Sequence, residues 1–239
     1  MLQLYIGNKN YSSWSLRPWL LLSQLGIPFE EVQVRFDSFA PDSHFKQTLL
    51  ALAPTGKVPL LVHDGLAVWD SLAITEYLHE TFPDAGVWPA PVADRARARS
   101  LCAEMHSGFT GLRNHCPMNV EAHLPEIGVK VWAEKTDVRD DVYRLIDMWS
   151  QQLSTHGGPM LFGKFSAVDA FFAPVCLRLD CYGLPVPAHI QSYIQRVLAL
   201  PAMRQWIAAA LEEKDFRDFE EPYRNASGML SAERGSGQG

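Results

Sequence analysis

Positive charge is in short supply here: 21 Lys and Arg stand against 27 Asp and Glu, a formal net charge of -6. Nucleic-acid-binding chains usually present a basic face, so this balance argues against nucleic acid as a partner and against an anionic membrane surface. Long apolar runs are missing as well. None approaches the roughly 18 residues that would span a bilayer. Met1 to Ile6 is apolar, yet too short for a secretion signal and without a basic flank, and it reads better as a buried first strand. Cysteine is scarce, and Cys102, Cys116, Cys176 and Cys181 show neither CxxC nor any other metal-ligand spacing. No metal site is expected from them, and reduced thiols in a cytoplasmic protein are. There is no internal repeat, and only residues 225–239, rich in Ser, Gly and Ala, read as a mobile tail.

What is present suits a packed globular chain, with 47% hydrophobic residues over 239 positions, enough for one large domain or two small ones. Leu2–Gly7 predicts a strand, and Leu16, Trp19, Leu20, Leu22 and Leu25 have helical spacing that stops at Gly26-Ile27-Pro28. Phe29–Phe36 predicts a second strand and Phe45–Leu52 a short helix. Val58–Val62 and Leu66–Trp69 form a hairpin about His63-Asp64-Gly65, and Asp70 or Ser71 caps a helix running to Phe82. The order is β-α-β-α-β-β-α, a small α/β sandwich whose strand–helix–strand start demands a parallel pair. Beyond a linker at 83–93, the segments 95–109, 129–153, 166–181, 190–198 and 201–211 are all helix-compatible. The expected division is residues 1–82, then 94–224, then the tail 225–239.

Three features of the first unit bear on chemistry. Ser12-Ser13-Trp14-Ser15 lies where a helix N-terminus favours an anion, and a thiol held there would have its thiolate stabilised. The same serines would serve as helix caps, the commoner use of such residues taken alone. Gly56-Lys57-Val58-Pro59 enters a strand, and a cis Val58–Pro59 bond would turn the Val58 backbone outward to pair with an extended peptide; an ordinary trans proline at an edge is the alternative. Asp70-Ser71 heads the next helix, where a hydroxyl meets a carboxylate and Asp70 an ammonium, or where both merely cap.

In their order and context these motifs resemble the glutathione transferases of the serine type. The resemblance rests on Ser12-Ser13-Trp14-Ser15-Leu16-Arg17, Leu52-Ala53-Pro54-Thr55-Gly56-Lys57-Val58-Pro59, Trp69-Asp70-Ser71, Ile74-Thr75-Glu76-Tyr77-Leu78 and the Ser166-Ala167-Val168-Asp169 capping box. It covers residues 1 to about 210, and the first motif is closest to the zeta, maleylacetoacetate isomerase-like, branch. It implies a thioredoxin-like N-terminal domain, an all-α C-terminal domain, glutathione as co-substrate, and a homodimer. By resemblance, Ser12 stabilises the thiolate, with Ser13 as runner-up. Val58 pairs with the cysteinyl backbone beside a cis Pro59, Asp70 and Ser71 hold the γ-glutamyl group, and Lys57 and His44 lie near the glycyl carboxylate. Tyr11, Trp14, His106, Phe109 and Arg113 would line the site of a hydrophobic electrophile.

Two departures count against maleylacetoacetate isomerisation. Trp14 stands where the zeta branch has cysteine, and the branch's second-domain arginine has no match at its usual place, Arg178 lying one helical turn earlier. Transfer of glutathione to an electrophile is therefore the leading expectation. Isomerisation of the zeta type and a non-catalytic binding protein are the competing ones. Trp132, Trp149 and Trp206 read as core, and His115-Cys116 makes no metal site.

Overall fold

A computed structural model describes residues 1–227 and residue 230. Strand β1 (Leu2–Ile6) alternates in burial, so that Leu2, Leu4 and Ile6 enter the main core while Tyr5 packs on a smaller cluster on the opposite face. Helix α1 (Ser13–Leu25) ends at Gly26, whose left-handed φ of 69° closes the last turn. It carries the chain to β2 (Glu30–Gln33), parallel to β1 with Leu4 opposite Glu31. Next come α2 (His44–Leu50), β3 (Leu60–His63), β4 (Leu66–Val68) and α3 (Ser71–Thr81). The sheet order is β2-β1-β3-β4, with β3 antiparallel to both neighbours. Asp64 and Gly65 both take positive φ between β3 and β4, as a tight two-residue hairpin requires.

The remainder is helical: α4 (Val92–Ser107), α5 (Thr110–His115), α6 (Pro125–Glu134), α7 (Thr136–His156), α8 (Ala167–Cys181), α9 (Ala188–Leu198) and α10 (Pro201–Glu213). Every residue of α8 except Asp180 is buried, the signature of a helix surrounded on all sides. It packs against α1, α4 and α9, which fuses the two halves into one continuous hydrophobic core. Asp169 fixes its start. One carboxylate oxygen accepts from the Ser166 N–H at 3.0 Å, and the other from the Leu161 N–H at 3.2 Å and the Tyr193 hydroxyl at 3.0 Å.

The helical half corrects two expectations. The single helix expected over 129–153 is broken at Lys135, whose extended backbone ends α6 and starts α7. The break folds α6 back onto α7, bringing the Trp132 and Tyr143 rings to 5.8 Å. The Arg139 guanidinium then donates to the carbonyls of Trp132 and Ala133, so the terminal acceptors of α6 are met by a side chain across the turn. The helix expected to reach Phe109 stops at Ser107 instead, because Phe109 takes a left-handed φ of 56° and opens the unforeseen α5. Trp149 and Trp206 are fully buried, while Trp132 is half-buried. The expected mobile tail falls largely on residues 228, 229 and 231–239, outside those described; within it, Leu230 bridges to Arg224.

Candidate functional site

The loop joining β1 to α1 is built so that its backbone is satisfied from distant parts of the chain. Gly7 must be glycine, because a Cβ there would sit 2.3 Å from the Phe36 ring. The Asn8 side chain accepts from the Phe36 N–H at 2.7 Å and donates to Asp215 at 2.9 Å. The Lys9 and Asn10 N–H groups donate to the Glu213 carboxylate, and the Trp206 indole donates to the Lys9 carbonyl at 3.1 Å. Buried amides left without such partners would each cost roughly 1–3 kcal/mol, so the end of α10 and the segment after it rigidify the loop.

Ser12, the N-cap of α1, and Ser13 are both nearly buried, yet both line a cavity. The Ser12 hydroxyl lies 2.7 Å from that of Ser15 and accepts a long bond from the Ser15 N–H. Ser15 Oγ in turn accepts from the Gly7 N–H at 3.1 Å. Ser13 Oγ instead accepts from the Arg178 guanidinium at 3.3 Å, a contact reaching from the C-terminal part of α8 into the loop.

Two cavities meet at Trp14. The larger, about 550 Å³, is lined by Tyr11, Ser12, Ser13, Trp14, aromatic residues of the first unit, Lys46, Arg113, Arg178 and Glu220. The smaller, about 430 Å³, lies between Val58–Pro59 and Asp70 on one side and His106 and Arg113 on the other. The Val58–Pro59 bond is cis. Asp70 caps α3 by accepting from the Leu72 N–H at 3.1 Å, and it also meets His106 Nε2 at 3.1 Å. The hydroxyls of Ser71 and Thr55 are buried without a hydrogen-bond partner. Thr55 lines the smaller cavity and Ser71 follows Asp70, which also lines it, and unpaired buried hydroxyls in such positions call for a polar partner.

Positive charge concentrates around Trp14 although the chain is acidic overall. The guanidinium of Arg17 lies 4.0 Å from its ring and that of Arg113 4.9 Å. Burial lowers Arg17 to about 9, repulsion from Arg178 and Arg113 adding to the effect, and burial lowers Arg178 to about 10. His106 is pulled below the usual histidine range by burial, against the attraction of Asp70. Burial holds Tyr11 protonated, pushed up to about 12, and its hydroxyl donates to Glu221 at 2.9 Å. Burial also raises the thiols of Cys102, Cys116, Cys176 and Cys181, so none is a ready thiolate. Among the described residues no cluster of three His, Cys, Asp or Glu side chains could hold a metal ion, and no helix is long and apolar enough to cross a membrane.

Of the residues singled out from sequence, Tyr11, Ser12, Ser13, Trp14, Lys57, Val58 and Arg113 line the larger cavity, and Trp14, Lys57, Val58, Pro59, Asp70, His106 and Arg113 the smaller. Ser71 is buried at the head of α3 behind Asp70. His44 is exposed at the start of α2 and lines neither cavity, and Phe109 is buried in the core and lines neither. Sequence reasoning passed over Lys46, whose ammonium donates to the Gly56 carbonyl at 3.0 Å, and Glu220. It noted Arg178 without placing it in the site. The spacing of Lys46 ten residues before Gly56 gives no signal of that contact.

Comparison with known proteins reaches both halves of the chain. The family model for the glutathione S-transferase N-terminal domain matches residues 11–81, and that for the C-terminal domain matches 121–209. The maleylacetoacetate isomerase of Rattus norvegicus is 30% identical over 206 residues, covering 84% of this chain and 89% of that protein. A probable maleylacetoacetate isomerase of Caenorhabditis elegans is 33% identical over 111 residues, 46% of this chain, and the match spans about half of that relative (49%). The crystal structure of a glutathione transferase homologue from Burkholderia GL BGR1, with bound glutathione, is similar at a TM-score of 0.65 and 26% identity, covering 88% of this chain and 98% of that one. With both halves matched and the sheet and helices arranged alike, this chain belongs to the glutathione S-transferase family.

Proposed function

We propose that the chain binds glutathione in the smaller cavity, stabilises its thiolate with the Ser12 hydroxyl, and presents it to an electrophile held in the larger one. The observation that carries this reading is the pair of unpartnered hydroxyls, Ser71 and Thr55, beside the Asp70 carboxylate and the cis Val58–Pro59 bond. A γ-glutamyl head group brings both an ammonium for Asp70 and a carboxylate for Ser71 at the N-terminus of α3. An extended tripeptide pairs with the Val58 backbone as an added strand would. Lys57, which lines both cavities, offers a cation to the glycyl carboxylate.

Ser12 suits the sulfur because of what stands behind it. Ser15 Oγ accepts from the Gly7 N–H, and when Ser15 donates its own hydrogen to Ser12, the Ser12 hydrogen is left for an acceptor in the cavity. A thiol of ordinary pKa, about 8.5, becomes substantially ionised at neutral pH if such contacts lower it by one to two units. Serine acts here by hydrogen bonding, its hydroxyl being too weak an acid to serve as a base. Tyr11 is not available for that role, since burial keeps it protonated and Glu221 takes its hydrogen.

A second reading, glutathione-dependent cis–trans isomerisation, is favoured by the likeness to maleylacetoacetate isomerases and by the Arg178 guanidinium in the larger cavity. Turnover of a cis-dienoic acid without net consumption of glutathione would mark it. Calorimetric titration with glutathione tests both at once: binding at millimolar ligand or tighter is expected, and its absence overturns them.

A further inference from the structure

We propose that Glu220 is a catalytic proton donor in the electrophile cavity, acting when the electrophile is a carbon–carbon double bond conjugated to a carbonyl. This rests on the glutathione reading above and adds a residue to it. Glu220 contributes the only carboxyl group among the described residues lining the larger cavity, where it shares the walls with Ser12, Ser13 and Arg178. Its carboxyl group takes no hydrogen bond from a described residue. The next residue, Glu221, is its chemical twin but is buried and fully engaged, accepting from Tyr11, Asn119 and Arg224.

The turn that carries Glu220 (Asp218–Glu220) is pinned on both sides. The Arg217 N–H donates to the Tyr11 hydroxyl at 3.2 Å, the Phe219 ring packs on Phe39 at 5.2 Å, and Glu221 is tied down as described. Glu220 is therefore held at the cavity wall. Burial raises its carboxyl group to about 7, with Arg178 of α8 opposing and Glu221 adding to the rise. The other charged groups facing the same space are Lys46 of α2, Lys57 and Arg113 of α5. A carboxyl group near half-protonation at neutral pH is suited to giving a proton and recovering it from water.

Addition is accelerated by such a group and substitution is not. When the thiolate attacks the β-carbon, the new sulfur–carbon bond pushes the π pair onto the α-carbon and the carbonyl oxygen. The resulting enolate expels the thiolate again unless it is protonated. Glu220 supplies that proton to the α-carbon, Arg178 meets the oxygen's negative charge meanwhile, and Glu220 is reprotonated from water. Since glutathione loses one proton on forming its thiolate, the sum is glutathione plus alkene giving one saturated thioether. In aromatic substitution the halide leaves with the electron pair and no proton is called for.

Glutathione addition to an alkenal and its substitution on chlorodinitrobenzene should be measured for the wild type, Glu220→Gln and Glu220→Asp. Glu220→Gln should lower kcat for the alkenal by about 100-fold, with a much smaller change for chlorodinitrobenzene, and should abolish the decline in alkenal kcat above about pH 7. Glu220→Asp should restore part of the loss and keep that limb. An equal fall in both reactions, a pH limb surviving in Glu220→Gln, or no alkenal turnover by the wild type overturns the assignment. Calorimetry separates the levels. Wild type that fails to bind glutathione overturns the underlying reading as well, while intact binding with any of those results overturns only the role of Glu220.

Discussion

Replacing Ser12 with alanine probes the thiol site most directly. The perturbation removes one hydroxyl at the head of α1, leaving Ser15 still bonded to the Gly7 N–H and Ser13 still bonded to Arg178. A hydrogen bond to a charged acceptor contributes about 1.5–3 kcal/mol. At 1.36 kcal/mol per pKa unit, losing it should raise the bound thiol by about one to two units. If the wild-type thiol titrates near 7, the variant's should return to about 8–9, and the thiolate fraction at neutral pH should fall by about 5- to 50-fold. The fold should suffer much less. The cap bond from the Ser15 N–H is long, 3.4 Å, so its loss belongs near the low end for N-caps, about 0.5 kcal/mol, or one to two degrees in Tm for a chain of this size. Thiolate absorbance of the protein–glutathione complex, followed against pH, gives the pKa, and a thermal melt gives the control. An unchanged thiol pKa, or a shift that appears only in Ser13→Ala, would refute the assignment to Ser12 and move the contact to Ser13 and its arginine.

Two further predictions concern the frame around the site. Asp169→Asn should destabilise the fold by about 1–3 kcal/mol in urea titration, because an amide cannot accept from Leu161, Ser166 and Tyr193 as the carboxylate does. Burial raises Asp169 to about 6, so the native state holds its proton more tightly than the unfolded chain does. The protonation-linked part of its contribution to stability is accordingly full below about pH 4 and lost as pH rises through about 6, and the variant should show a flatter dependence across that window. Gly128→Ala should be among the most damaging single changes, since its Cβ would sit 1.7 Å from the Tyr182 carbonyl oxygen, a backbone atom unable to move aside. Expression of a well-folded variant with an unaltered melting temperature would contradict that packing.

Much of the first unit was legible because its signals are local. Gly26 ends α1, Asp64-Gly65 turns the hairpin, and Asp70 caps α3, each within a few residues of what it controls. The cis bond before Pro59 was implied by the family resemblance, its place at a strand entrance alone leaving an ordinary trans proline open. What escaped is set by partners far away in sequence. Ser13 and Arg178 are 165 positions apart, and the pairing of the Tyr11 hydroxyl with Glu221 spans 210. No periodicity carries such information. Phe109 illustrates the same limit at one residue, because nothing in its local sequence marks a bulky side chain for a left-handed backbone. His44 was drawn towards the site by likeness alone, and it stands exposed at the start of a helix whose first turn supplies Lys46 to the cavity instead.

The anchoring of the serine loop by Glu213, Asp215 and Glu221 also has a bearing on the order in which the molecule matures. Synthesis runs from the N-terminus, so the sheet and α1 emerge while the carboxylates that hold their loop are still some two hundred residues from being made. Closing so long a span is slow to reward, since the entropy of bringing distant segments together is lost before their contacts are gained. A nascent chain stalled before residue 213 would carry the serines on a loop with idle amides. Under the proposed thiol chemistry, competence would arrive last, together with the segment that walls the cavity, and an unfinished chain would present no activated thiol.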